Sequence, residues 1–317
     1  MKIKRRDFLK GLAGGTVLAM APPAIAASSE KSRLPGALGM LYDSTLCVGC
    51  QACMVSCKKV NNMPVEYSGP EHLWERPLGQ SSKTLTIIKA YENGTLKTKD
   101  SENNGYAFIK RQCMHCVKPA CVSACPAGAM TKDATTGIVS YNKDACIGCR
   151  YCAVACPFNN PKFEWDNPFP KIVKCQLCKH LIAKNKIPGC TSACPTGASL
   201  FGPVKDLLAE AERRLDMTPG KTYEFPVSQI SSSQKQVHKA KTYIPHIFGK
   251  NDGGGTQNIM LAAVPFDKLG LPTLLNRSYA SITEDLQGTL YKGMILPVVV
   301  FGGLVFLAKR AEKSKKE

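Results

Sequence analysis

Sixteen cysteines in 317 residues fall into four quartets with none left over. They are Cys47, Cys50, Cys53 and Cys57; Cys113, Cys116, Cys121 and Cys125; Cys146, Cys149, Cys152 and Cys156; and Cys175, Cys178, Cys190 and Cys194. The first and third quartets are spaced C-x2-C-x2-C-x3-C. Three thiolates two residues apart on one tight loop can grip three irons of one cubane. The fourth, at the start of the next segment, points away and can reach a second cubane. This is the ligation pattern of [4Fe–4S] clusters. At four thiolates each, the cysteines supply four [4Fe–4S] clusters.

Two other uses of cysteine fit less well. A disulfide framework would scatter cysteines so that they pair across loops, whereas here C-x2-C recurs in every quartet. A zinc site uses two C-x2-C pairs, which would leave the third cysteine of C-x2-C-x2-C idle. Proline follows the last cysteine of three quartets, at Pro126, Pro157 and Pro195. The bacterial ferredoxin run ends in the same Cys-Pro, where proline suits the first turn of a helix. Lys58 stands there in the first quartet.

The two ends point to a compartment. Residues 1–26 read as a signal peptide. Arg5 and Arg6 are followed by Phe8, Leu9 and Lys10, then a Gly-rich apolar stretch and the A-x-A site Ala24-Ile25-Ala26. The arginine pair marks twin-arginine export rather than an ordinary secretory signal. Twin-arginine export carries folded proteins, so clusters can be inserted in the reducing cytoplasm first. Bare thiols threaded into an oxidising space would instead form disulfides. At the other end, residues 290–308 read LYKGMILPVVVFGGLVFLA. As a helix this is roughly 28 Å long, which predicts a transmembrane anchor. Its unbroken apolar part, 294–308, reaches only about 22 Å. The tail 309–317 carries five basic and two acidic residues and is expected to stay cytoplasmic. The cluster-bearing body is then expected on the periplasmic face.

The formal charge is +18. The first 26 residues hold five basic and one acidic residue, so the remainder carries about +14. Four oxidised cubanes with their thiolates contribute about −8, leaving about +6. The basic excess is partly a counter-charge for the cofactors. No basic-aromatic stripe accompanies it, which excludes a nucleic-acid reading.

Along the chain, the predicted class is α+β: two bacterial-ferredoxin-like two-cluster modules, a β-rich insertion and a C-terminal transmembrane helix. The paired modules occupy 40–202, with the insertion at 58–110. Quartets two and three form one module. Between them a strand at 128–132, a turn at 133–137 and a strand at 138–141 are expected. Quartets one and four form the other. The insertion has a β-rich stretch at 84–91 followed by the turn signal Glu92-Asn93-Gly94. Residues 203–215 read as an amphipathic helix with Leu207, Leu208, Ala211 and Leu215 on one face. The rest of 203–289 reads as an extended docking arm. Because the fourth cysteine of such a run serves the neighbouring cluster, four ligand sets follow. They are Cys47, Cys50, Cys53 and Cys194; Cys57, Cys175, Cys178 and Cys190; Cys113, Cys116, Cys121 and Cys156; and Cys125, Cys146, Cys149 and Cys152.

Over 42–201 the chain resembles the four-cluster electron-transfer subunits of membrane-bound oxidoreductases, among them formate dehydrogenase, dimethyl sulfoxide reductase and polysulfide reductase. It is similar also to the iron–sulfur subunit of hydrogenase-2-type [NiFe]-hydrogenases. The resemblance rests on GALGMLYDSTLCVGCQAC, QCMHC, GCRYCAVACPFN, GGGTQ at 253–257 and GTLYKGMILP. Some members replace one cysteine and carry a three-iron cluster; here all sixteen are present. The resemblance implies partnership with the large and small subunits of a [NiFe]-hydrogenase that oxidises H2 at the periplasmic face. Electrons would pass through four [4Fe–4S] clusters to a multi-span, quinone-reactive membrane subunit. The alternative is the β-subunit of a membrane-bound formate dehydrogenase or related molybdoenzyme.

No catalytic constellation is visible, so the chain is expected to be a non-catalytic subunit rather than a self-sufficient iron–sulfur enzyme. His72, His115, His180, His238 and His246 form no spaced metal set. His115 lies between Cys113 and Cys116, where it is expected to pack or tune a cluster by hydrogen bonding. Trp74 and Trp165 read as packing residues. No G-x-G-x-x-G follows a strand, which argues against nicotinamide or flavin.

Overall fold

Six residues, LGMLYD, form the strand about which the body is arranged. This strand, β1 (Leu38–Asp43), has five of its six residues buried. The computed structural model that contains it describes residues 33–64 and 79–313. The signal peptide expected at 1–26, part of the insertion (65–78) and the last residues of the tail (314–317) lie outside the described residues.

The alternation of β1 sends its side chains to two apolar clusters. Met40 and Tyr42 pack with Cys47, Cys53, Phe108 and Cys190. Leu41 packs on the opposite face with Leu200, Leu207, Ala211, Ile259 and Leu261. Strand β1 is flanked on both edges. It pairs antiparallel with β9 (Ser199–Pro203) and parallel with β12 (Asn258–Leu261). The latter cluster is covered by the expected helix, Val204–Leu215. Its Leu207 and Ala211 are fully buried and Leu208 and Leu215 are partly so. Full burial of one such leucine stabilises by about 1.5–3 kcal/mol.

The remaining sheets are small. Strand β2 (Ile87–Glu92) pairs antiparallel with β4 (Gly105–Arg111), and β3 (Thr98–Lys99) runs parallel to β4. The turn signal at Glu92-Asn93-Gly94 therefore does not close a two-residue hairpin; the chain passes through β3 before returning as β4. The expected 128–141 hairpin is present as β5 (Met130–Lys132) and β6 (Val139–Tyr141). Strands β7 (Lys162–Phe163) and β8 (Ile172–Val173) make one further hairpin. Strands β10 (Thr222–Pro226) and β11 (Lys235–Lys239) make another. Residues 31–280 form one compact unit. Within it, β1 precedes quartet one but is clamped between β9, after quartet four, and β12.

In chain order the helices are α1 (Ala52–Val60), α2 (Ala120–Ser123), α3 (Tyr151–Ala155), α4 (Lys179–Ile182), α5 (Gly189–Ser192), α6 (Val204–Leu215) and α7 (Tyr279–Lys313). The last corrects the expected fold class. Among the described residues, no helix is long and apolar enough to cross a membrane. The transmembrane helix expected at 290–308 is an interior stretch of the 35-residue α7. Thr283, Glu284, Asp285 and Gln287 precede it, and Lys309, Arg310, Glu312 and Lys313 follow it. The fifteen-residue apolar run between them, 294–308, reaches about 22 Å against a hydrocarbon core of about 30 Å. The run also contains Pro297, Gly302 and Gly303.

A buried ion pair ties α6 to the first cysteine loop. Arg214 is fully buried. Its Nη1 donates to Asp43 Oδ2 at 2.8 Å and its Nε to Glu210 Oε1 at 2.8 Å. The Phe225 ring lies under the guanidinium. The other carboxylate oxygen of Asp43 accepts from the Thr45 N–H at 2.9 Å and Thr45 Oγ1 at 2.7 Å. This caps the 3-10 turn Ser44–Leu46, whose next residue is Cys47. Removing one partner of a buried pair leaves the other unpaired, at a cost of about 3–5 kcal/mol. Arg214→Met should therefore lower unfolding stability by roughly that amount in denaturant titration, while Lys205→Met at an exposed position of the same helix should leave it unchanged.

Candidate metal centres

Each C-x2-C loop turns through one left-handed residue just before its second cysteine. These are Gly49 (φ +71°), His115 (φ +48°), Gly148 (φ +72°) and Leu177 (φ +52°). In the two C-x2-C-x2-C loops a second left-handed residue follows, Gln51 and Arg150, which leads into α1 and α3. Glycine adopts this conformation freely, whereas His115 and Leu177 do so at a cost of about 1–3 kcal/mol each. Both are fully buried, so surrounding packing holds them there. The turn directs backbone N–H groups at sulfur. Gly49 N–H donates to Cys47 Sγ at 3.5 Å and Leu177 N–H to Cys175 Sγ at 3.4 Å.

Short helices carry the outer cysteines. Helix α1 holds Cys53 and Cys57, α2 holds Cys121, α3 holds Cys152 and α5 holds Cys190. None of the sixteen cysteines is paired in a disulfide. Cys47, Cys50, Cys53 and Cys194 line one cavity, and Cys125, Cys146, Cys149 and Cys152 line another. The Cys116 thiol faces those of Cys113, Cys121 and Cys156. The Cys175 thiol faces those of Cys57, Cys178 and Cys190. Electrostatic influence also passes between successive groups: Cys190 raises Cys53, Cys113 raises Cys175, and Cys152 raises Cys121. Cys50 and Cys149, in the two end groups, are the exposed cysteines.

Burial, reinforced by neighbouring thiols, pushes Cys57 and Cys121 up to about 12 and Cys152 up to about 11. A coordinated metal replaces the thiol proton outright. Among the described residues, no three His, Cys, Asp or Glu side chains converge on a position for a single metal ion. The donor set instead suits a larger group. Two sets of four thiols each line a cavity of their own, and polar hydrogens are supplied to the sulfurs. Met130 N–H donates to Cys125 Sγ at 3.4 Å, and Asn61 Nδ2 lies 3.7 Å from Cys57 Sγ and 3.9 Å from Cys178 Sγ. His115 accepts from Val139 N–H at Nδ1, 3.0 Å, so its proton sits on Nε2. That buried N–H has no acceptor among the described protein atoms, as expected of a donor to cluster sulfur. Burial and the charges of Lys174 and Lys132 keep the ring neutral, well below the ordinary histidine range.

The chain matches the model of a 4Fe-4S dicluster domain over residues 105–204. It is 46% identical to the hydrogenase-2 operon protein HybA of Escherichia coli O157:H7, covering 98% of this chain and 97% of that one. The chain belongs to the HybA family. More distant relatives are the protein NrfC of Escherichia coli K12 (33% identity; 72% of this chain, 92% of that one) and the nitrate-inducible formate dehydrogenase iron-sulfur subunit of the same organism (28%; 96% and 93%). As a member of the HybA family with all sixteen cysteines in place, the chain carries four [4Fe–4S] clusters.

Several residues that shape these centres in this HybA-family chain are not evident from cysteine spacing. Lys58, at the position proline holds in the other quartets, donates to the carbonyls of Lys83 at 2.7 Å and Pro64 at 3.0 Å. Lys110 and Lys174 are fully buried. Burial alone would lower the Lys110 ammonium, but the facing thiols of Cys190 and Cys53 raise it. A lysine within the apolar run AFIK is the one sequence signal that could have found it. The GGGTQ segment straps the second cysteine loop. Val117 N–H donates to Gly255 O at 2.9 Å, Gln257 N–H to His115 O at 3.1 Å and Asn258 Nδ2 to Cys113 O at 2.6 Å. Three left-handed glycines, Gly253, Gly254 and Gly255, make the turn that permits this.

Gly49 combines a left-handed φ with no room for a side chain, since a Cβ would stand 2.7 Å from the Phe108 ring. Gly49→Ala should cost the purified protein about a quarter of its iron, one cluster of four, by iron and sulfide assay. Gly79→Ala, at a site with nothing within 4 Å, should keep its full content.

Proposed function

We propose that this chain is a non-catalytic electron-transfer subunit that relays electrons from a periplasmic [NiFe]-hydrogenase to a multi-span, quinone-reactive membrane subunit. The observation that supports the reading is that Cys50 and Cys149, one in each of the two outer groups of the assignment, are the exposed cysteines, while thiols of successive groups influence one another electrostatically. Bound at these positions, [4Fe–4S] clusters supply one-electron transfer at potentials set by their surroundings. The chain's own part is to space the groups and leave an approach to each outer one at Cys50 and Cys149. Exposed apolar side chains flank both ends, Val48 and Val55 beside Cys50, and Ile147 and Val154 beside Cys149. Such residues suit transient contact with redox partners.

The reading assigns Cys47, Cys50, Cys53 and Cys194 to one cluster and Cys57, Cys175, Cys178 and Cys190 to the next. Cys113, Cys116, Cys121 and Cys156 hold the third, and Cys125, Cys146, Cys149 and Cys152 the fourth. It is supported by the shared cavities and facing thiols described above. The hydrogenase partner is supported by similarity along nearly the whole chain to the hydrogenase-2 operon protein. The Arg5-Arg6 pair supports twin-arginine export to the periplasmic face.

Two experiments test this. Cys47→Ser and Cys194→Ser should perturb the same paramagnetic signal, although they stand 147 positions apart in the chain; perturbation of different signals would break the ligand pairing. In a deletion strain, H2-dependent quinone reduction should be lost while H2 oxidation with an artificial dye survives, because the dye takes electrons from the hydrogenase directly. Formate-dependent quinone reduction should be untouched. Loss of formate oxidation with H2 oxidation intact would instead favour a formate dehydrogenase partner.

A further inference from the structure

Lys174 and Lys110 are the two largest fully buried side chains after Arg214. Arg214 has two carboxylates against it, but neither lysine has an ion-pair partner among the described carboxylates. Lys174 Nζ donates to the carbonyl of Val139, to the carbonyl of Cys175 at 2.8 Å and to Cys113 Sγ at 3.7 Å. The two carbonyls can only accept, and Cys113 as a cluster thiolate would accept as well, an arrangement that matches the three hydrogens of an ammonium. Cys113 and Cys175 belong to neighbouring cysteine groups, and the charge also faces Cys121 and Cys156. Lys110 occupies the equivalent place one junction along. Its Nζ donates to Ser199 Oγ at 3.0 Å, and its charge faces Cys190 of one group and Cys53 and Cys194 of the other.

A buried cation without a carboxylate partner is costly unless some other anion compensates it. The proposed clusters, with their thiolates, are such anions, and they become more negative on reduction. We infer that Lys174 and Lys110 are fixed countercharges set between successive clusters, raising the reduction potentials of those they face and easing the repulsion between adjacent reduced neighbours. The inference rests on the four-cluster ligand assignment above. Each lysine keeps its proton while one electron leaves a reduced cluster for its oxidised neighbour; no bond is made or broken. These are positioning residues, acting through the field at the clusters.

The test uses the purified full-length chain with Lys174→Gln, Lys110→Gln, Lys174→Arg and Lys110→Arg. Iron and sulfide are assayed, and midpoint potentials are read by redox titration followed by paramagnetic resonance. Glutamine keeps an N–H donor and loses the charge. Each Gln variant should hold wild-type iron while at least one midpoint falls by a tenfold change in the reduction equilibrium, 59 mV for one electron. The Arg variants should restore the wild-type midpoint. Iron-loaded Gln variants at both positions with unmoved midpoints would overturn the inference. If the Gln variants fail to load iron, the Arg variants decide. Arg proteins with full iron and wild-type midpoints support a required charge, and iron loss in both Gln and Arg proteins overturns it. Wild-type protein with far fewer than about sixteen iron would overturn the four-cluster assignment itself, an outcome distinct from unmoved midpoints in fully loaded variants.

Discussion

Everything in the body serves one constraint. Sixteen thiols must be held in four groups by loops too short to stabilise their own conformation. A C-x2-C loop presents both sulfurs to one site only if the chain reverses between them, and here each reversal passes through a left-handed residue. Glycine makes that turn freely at Gly49 and Gly148. At His115 and Leu177 the turn is strained and must be imposed from outside. The GGGTQ segment does this for the second loop, accepting from Val117 and donating to its carbonyls. Cluster binding adds to the same end, because ligand binding to the folded chain alone stabilises the fold.

Charge is distributed with the same economy. The guanidinium of Arg214 meets Asp43 and Glu210 in a buried contact, and Asp43 also caps the turn leading to Cys47. Although burial raises the Glu210 carboxyl, hydrogen bonds from Arg213 and the charge of Arg214 bring it below its ordinary range. That contribution is present above the ordinary carboxylate range and fades as pH falls through the depressed value. The buried lysines have no such carboxylates and face sulfur instead. Ion pairing thus ties α6 to the first cysteine loop, whereas neither Lys110 nor Lys174 has a partner among the described carboxylates.

The C-terminal helix shows how a local pattern can overstate its case. Fifteen apolar residues at 294–308 read as most of a membrane span. Within α7 they are bounded by Glu284 and Asp285 on one side and Lys309 and Arg310 on the other. Helix length alone is ample, but the apolar part is short of a hydrocarbon core. Val298, Val299, Phe301 and Phe306 are exposed in this structure.

The cysteine number and spacing were determined by sequence alone, because ligand geometry at a cubane dictates loop length directly. The β5–β6 hairpin and helix α6 were legible for a similar reason: alternation and the 3.6-residue period are local properties. Gly49 and Gly148 carried the backbone turn in their identity. Nothing local marked His115 or Leu177 as left-handed, since the packing that holds them comes from elsewhere in the chain. Nor could composition reveal that β1 would lie between β9 and β12, or that GGGTQ would close over a loop some 140 residues earlier. The burial of Lys110 and Lys174 between cysteine groups is of the same kind. Spacing determined what each loop can bind; only the tertiary structure decided which groups adjoin and which charges lie between them, because those depend on contacts between residues far apart in the chain.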